Sequence, residues 1–228
     1  PRFYHDLEFV DMDGDGFLDV ATVRSSFKVA GFGSVGFFTG ELVWFRNPGA
    51  ALSPTVEWDE HMLVGYPVTG TGPDISIESY DFENDGIPEL IGGSFFMSGG
   101  FVRVYGAPAG LPWTAVDQVN GPVVRVGNIA AGAQGKVFDI QVADLNLDGK
   151  VEVLASNHQP DNCFAVTQDA IPGRINAYEQ PVSGNIFGGG WVRRTLKDNI
   201  RPNPTFPAPT AGPGRLAPGP AKAFVPVR

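Results

Sequence analysis

Cysteine and histidine are nearly missing from this chain: among 228 residues there are one Cys and three His. Cys163 alone excludes an internal disulfide framework and a cysteine-built zinc site. It also has no His–Asp pattern beside it that would make it a nucleophile. No apolar run approaches the ~18 residues of a membrane span. Positive charge is short as well, with 16 Lys and Arg against 25 Asp and Glu and a formal net charge of −9. Neither nucleic acid nor an anionic membrane is an expected partner of so acidic a chain. No signal peptide is present, and the chain opens on Pro1; a mature form or a fragment of a longer protein is the expectation. What is plentiful is turn chemistry. The 30 Gly and 20 Pro make up more than a fifth of the chain, a density of breakers that excludes an all-α fold. With 43% hydrophobic and 11% aromatic residues, the chain still has material for a core. Many short strands are the architecture that reconciles the two.

The sequence repeats itself. DMDGDGFLD at 11–19, DFENDGIPE at 81–89 and DLNLDGKVE at 144–152 share an acid at the first and ninth positions and Asp-Gly at the fifth and sixth. Counted from the first Asp, Gly40, Pro48 and Trp58 fall at offsets of 29, 37 and 47. Gly173, Pro181 and Trp191 fall at the same three offsets in the third unit. The second unit is shorter, with Gly100, Pro108 and Trp113 at 19, 27 and 32. Self-similarity of this kind is the signature of a repeat architecture.

Each unit reads as four strands. The first runs up to the acidic loop (6–10, 75–80, 138–143) and the second follows it (20–23, 90–92, 151–155). The third covers 41–45, 101–105 and 174–178, and the fourth surrounds Trp58, Trp113 and Trp191. Four antiparallel strands per unit of about 65 residues predict an all-β fold, a partial β-propeller with three blades at about 3–65, 66–128 and 129–200. Three blades do not close a ring. The expectation is therefore an arc of a ring of about six to eight blades, completed by a longer chain or by another chain. Residues 201–228, with eight prolines, read as a linker or as the start of a further blade.

The acidic loops point to a metal. A hard cation such as Ca²⁺ takes six to eight oxygens, and carboxylates at alternate positions of a tight turn converge on one point. In the first loop the expected ligands are Asp11, Asp13, Asp15, the carbonyl of Phe17, and Asp19. In the second they are Asp81, Glu83, Asp85, the carbonyl of Ile87, and Glu89; in the third, Asp144, Asn146, Asp148, the carbonyl of Lys150, and Glu152. Up to three calcium ions are expected. An EF-hand, which opens the same way, needs a bidentate Glu at position twelve, and here Thr22, Gly92 and Ala155 stand there. Eleven of the 25 acids are these ligands, and the other 14 face 16 basic residues, so the acidic excess sits in three short loops. Crowded carboxylates without a cation repel one another.

These units resemble the FG-GAP or VCBS repeats of integrin-α-type calcium-binding β-propellers, over roughly residues 3–200. The resemblance implies a calcium loop between strands one and two of every blade. A narrower similarity rests on GELVWFRNP at 40–48 with EWDEH at 57–61, and on GRINAYEQP at 173–181 with GWVRR at 190–194. It is to a group that includes the N-terminal propeller of aldos-2-ulose dehydratases, which are sugar lyases. No complete catalytic motif accompanies it.

Two functions follow as expectations. The first is a non-catalytic extracellular or secreted scaffold that contacts protein or glycan. The second is the propeller domain of a carbohydrate lyase, with its site on the face opposite the calcium loops. On that face His5, Asp6, Asp139 and His158 are candidates to converge on a sugar or an additional divalent metal. The alternative for Asp6 and Asp139 is to tie neighbouring blades together through backbone hydrogen bonds. His61 stands where the third unit has Arg194, an exchange that predicts an exposed outer-strand position.

Overall fold

The computed structural model describes residues 2–28, 37–49, 55–65, 72–96, 100–130, 136–158 and 173–200. Residues 201–228 and Cys163 lie outside the described residues. Among the described residues twelve strands form three four-stranded antiparallel sheets, each in simple sequence order. The first holds β1 (Arg2–Val10), β2 (Asp19–Lys28), β3 (Phe37–Arg46) and β4 (Asp59–Val64). The second holds β5 (Ser76–Tyr80), β6 (Glu89–Gly93), β7 (Val102–Gly106) and β8 (Arg125–Ala130). The third holds β9 (Lys136–Ala143), β10 (Glu152–His158), β11 (Gly173–Glu179) and β12 (Val192–Ile200).

Register repeats with the sequence. The first two strands of each sheet end flush at the acidic loop, where Val10 faces Asp19, Tyr80 faces Glu89 and Ala143 faces Glu152. Alternation along the strands then sends side chains to two faces. From the first sheet Ala21, Val23, Leu42 and Trp44 meet Ile77, Leu90 and Tyr105 of the second in one buried cluster. From the other face of the second sheet Ile91, Val102 and Val104 meet Ile140, Val153 and Tyr178 of the third. Burial of each large side chain here contributes about 1.5–3 kcal/mol. Gly93 permits the second contact, because a Cβ there would lie 2.7 Å from Val137 Cγ1.

The first strands also bond sheet to sheet. Asp6 Oδ2 accepts from Ile77 N (3.0 Å) and from Ser76 Oγ (3.1 Å). Ser76 Oγ in turn accepts from Ile140 N (3.2 Å). Asp6, Ser76 and Asp139 hold the same place ahead of their loops, so a carboxylate or hydroxyl at this position reaches the next sheet's backbone twice in succession.

The fourth strand of the second unit is not at Trp113. That residue opens a short 3₁₀ turn (Trp113–Ala115), and β8 begins only at Arg125. Pro108, Gly110 and Pro112 rule out a continuous strand ahead of Trp113, and Pro122 interrupts the chain before β8. The Trp113 indole is instead buried between the first two sheets and donates to Pro88 O at 2.9 Å. His61 also departs from expectation. It is half-buried in β4 and stacks on Trp44 at 4.5 Å, whereas the corresponding Arg194 lies opposite the small Ala177.

Candidate metal centre

The three loops share three of their side-chain-to-backbone bonds and differ in another: Asp11 takes the position-four amide where Asp81 and Asp144 take the position-five amide. The position-one carboxylate spans the turn: Asp11 accepts from Gly14 N (2.8 Å) and Gly16 N (2.9 Å). Asp81 accepts from Asp85 N (3.1 Å) and Gly86 N (2.9 Å), and Asp144 from Asp148 N (3.2 Å) and Gly149 N (3.0 Å). The position-five Asp accepts from the amide two residues on, at 2.9 Å in all three loops: Phe17 to Asp15, Ile87 to Asp85, Lys150 to Asp148. The position-nine acid closes back onto the position-two amide, Met12 to Asp19 (3.0 Å), Phe82 to Glu89 (2.8 Å) and Leu145 to Glu152 (2.8 Å).

Backbone conformation repeats with it. Positions four and six are left-handed in each loop: Gly14 and Gly16 at φ 77° and 88°, Asn84 and Gly86 at 54° and 82°, Leu147 and Gly149 at 60° and 87°. Glycine enters this region without steric cost and Asn with little, but a leucine pays about 1–2 kcal/mol.

Asp11, Asp13 and Asp15 each offer a carboxylate oxygen, and these oxygens lie within 4.8 Å of one another, a group that can hold a metal ion. All the donors are oxygens, which suits a hard cation. Among the described residues it is the one group of three His, Cys, Asp or Glu gathered so closely. Arg46 of β3 already touches it, with Nε 2.6 Å from Asp13 Oδ2 and a second nitrogen 3.9 Å from Asp15. In the second loop Glu83 pairs with Arg125 at 2.6 Å. In the third, neutral Asn146 donates to Asp148 Oδ2 at 2.9 Å.

The position-nine acids are buried, and burial raises the pKa of each. Asp19 rises although Asn47 N and Met12 N donate to it; Glu89 is pushed up to about 7 by burial; Glu152 rises by burial, against the bond from Leu145. A cation nearby reverses this preference for the proton. The main-chain positions differ in cover, with Phe17 exposed, Ile87 half-buried and Lys150 exposed.

At the other end of the first strands, both oxygens of Asp6 are engaged, Oδ2 by the second sheet and Oδ1 by Leu7 N at 3.0 Å. His5 sits at a bulge in β1 with its ring 5.1 Å from Phe96, and burial lowers its pKa. Asp139 is half-buried on β9. His158 ends β10 opposite Lys136, and its side chain lies outside the described residues. Among the described residues, His5, Asp6 and Asp139 do not form a metal-holding group.

Neither a family model nor a curated protein matches this chain. Three features were missed from sequence. Arg46 and Arg125 reach their acids from unequal offsets, so the repeat gives no signal for them. Gly14 and Asn84 hint at a left-handed fourth position, but Leu147 masks it.

Proposed function

We propose that this chain is a segment of a calcium-stabilised β-propeller of the FG-GAP/VCBS kind, a scaffold that presents its surface to a protein or glycan outside the cell. The observation that carries this is the threefold recurrence of one loop: acids at positions one, five and nine accept from the amides of positions six, seven and two in every loop, with left-handed backbone at the same two positions. A turn chosen only for bending needs no acid at the first, fifth and ninth positions together. Serial bonding of the first strands supports blades arranged about their first strands, and further blades from a longer or separate chain complete the ring.

The lyase alternative places a sugar or second divalent metal among His5, Asp6, Asp139 and His158. It requires Asp6 to leave the bonds that join the first two sheets, and for that reason the non-catalytic reading is preferred. Thermal melts in millimolar calcium and in chelator test the proposal. A higher melting temperature in calcium is expected, and superimposable melts refute it.

A further inference from the structure

We infer that Arg125 is a built-in cation of the second acidic loop: its guanidinium holds the place that the sequence pattern gives to a metal, so that calcium acts on the first loop and leaves the second alone. The inference rests on reading the first loop as a calcium site, and it concerns which of the repeated loops takes the ion.

Charge poses the question. The first two loops carry four acids each, Asp11, Asp13, Asp15 and Asp19 against Asp81, Glu83, Asp85 and Glu89. Carboxylates so crowded need a positive partner. Among the described residues, the first loop alone gathers three carboxylate oxygens within 4.8 Å of one another. In the second, the acids at positions three and nine meet an arginine instead. Arg125 Nη2 lies 2.6 Å from Glu83 Oε2 and 3.7 Å from Oε1 of the buried Glu89. Two of the expected metal ligands thus share one nitrogen that belongs to the protein.

The first loop has an arginine too, so the difference lies in what holds it. Arg46 reaches Asp13 and Asp15 with 46% of its side chain exposed, and among the described residues its side chain has no other hydrogen bond, ion pair or ring contact. It is free to swing into water when an ion takes the carboxylates. Arg125 is clamped from two further directions. Its Nε donates to Ala107 O at 2.6 Å, and its guanidinium lies 4.2 Å from the centre of the Phe187 ring. Phe187 comes from the third unit and is itself fixed. It packs on the second core cluster and sits against Gly127, where a Cβ would lie 2.7 Å from Phe187 Cα. For Arg125 to withdraw, a carbonyl bond and a cation–π contact must be lost along with the carboxylates. If it stays, an entering divalent ion meets a fixed positive charge at the oxygens it needs.

The test uses the full chain, isotope-labelled for amide spectra. Gly16 N and Gly86 N each donate to the first Asp of their loop at 2.9 Å and so read the two loops separately. Calcium should move the Gly16 signal and leave Gly86 in place up to about ten times the concentration that saturates Gly16. In Arg125→Gln calcium should move Gly86 as well, with a midpoint at least about tenfold lower than any reached in the parent. The Nε–H signal of Arg125 needs no substitution and decides the matter if Arg125→Gln unfolds: it should stay unchanged through the titration while that of Arg46 shifts. A Gly86 or Arg125 Nε–H signal that follows Gly16 in the parent overturns the inference. So does a folded Arg125→Gln chain whose Gly86 ignores calcium. A silent Gly16 refutes the calcium reading of the first loop instead, and a Gly86 that then responds in the variant alone leaves the role of Arg125 standing.

Discussion

Asp15→Asn separates metal binding from loop folding. Asp15 Oδ1 accepts from Phe17 N at 2.9 Å, a bond that the amide oxygen of Asn can keep. Its side chain is about one-third exposed, so the substitution leaves little strain behind. What it removes is one of the three charges gathered in the first loop. A site filled at a hundredfold excess of calcium over Kd stabilises by about 2.7 kcal/mol. For a chain of this size that is a rise of about 5–10 °C in Tm. If one lost charge weakens affinity about tenfold, the first loop's contribution falls to about 1.4 kcal/mol and its share of the rise is roughly halved. In chelator the variant should melt with the unaltered chain. Asp11→Ala should behave differently, because its carboxylate also holds Gly14 N and Gly16 N, and that variant should melt lower in both buffers. Scanning calorimetry of the three proteins, with and without calcium, reads all of this. An Asp15→Asn chain that keeps the full calcium gain would refute the assignment of Asp15 as a ligand.

Arg46→Gln removes the cation that now occupies Asp13, so calcium affinity measured by titration calorimetry should tighten severalfold; an unchanged or weaker affinity would show that Arg46 does not compete. Leu147→Gly relieves a left-handed leucine that is 74% exposed and should stabilise by about 0.5–1 kcal/mol in urea melts, whereas destabilisation would mean that the leucine makes contacts worth more than its strain. Arg24→Ala leaves Glu41 buried without its guanidinium, 2.7 Å away in the parent, and should cost about 3–5 kcal/mol. Arg24 holds the Glu60 carboxyl below its ordinary pKa of 4.5 through a hydrogen bond, so this pair's contribution is complete above pH 4.5 and is lost as pH falls through the folded value. Glu60→Gln should flatten that part of the acid limb in denaturant titrations, and an unaltered limb would remove Glu60 from the account.

The repeat was legible because its chemistry is local. An Asp at position one, an Asp-Gly pair and an acid at nine define a turn within nine residues, and the flanking strands follow from β-branched and aromatic runs. Long-range features were not. Trp113 follows its proline by five residues where Trp58 and Trp191 follow theirs by ten, and it is drawn into the first interface by Met12, Leu42 and Trp44, residues far away in sequence. Strand ends were short by up to five residues, as in β2, which runs on to Lys28 through Arg24, Ser25 and Ser26. Those polar residues read as loop, and Arg24 is buried only because Glu41, Glu60 and Tyr4 from three other strands surround it. The bond from Asp6 to the second sheet was foreseen as an alternative, since an acid at a strand start has few other uses.

The amides of Ile77 and Ile140 are held by side chains of the preceding sheet and not by a strand of their own. Their hydrogen-exchange rates therefore measure how often two sheets part, independently of whether either sheet frays. Leu7 N, bound within its own strand, supplies the reference rate in the same spectrum. Comparing the three amides gives each seam its own opening free energy, and shows whether the array loosens one seam at a time or in a single event.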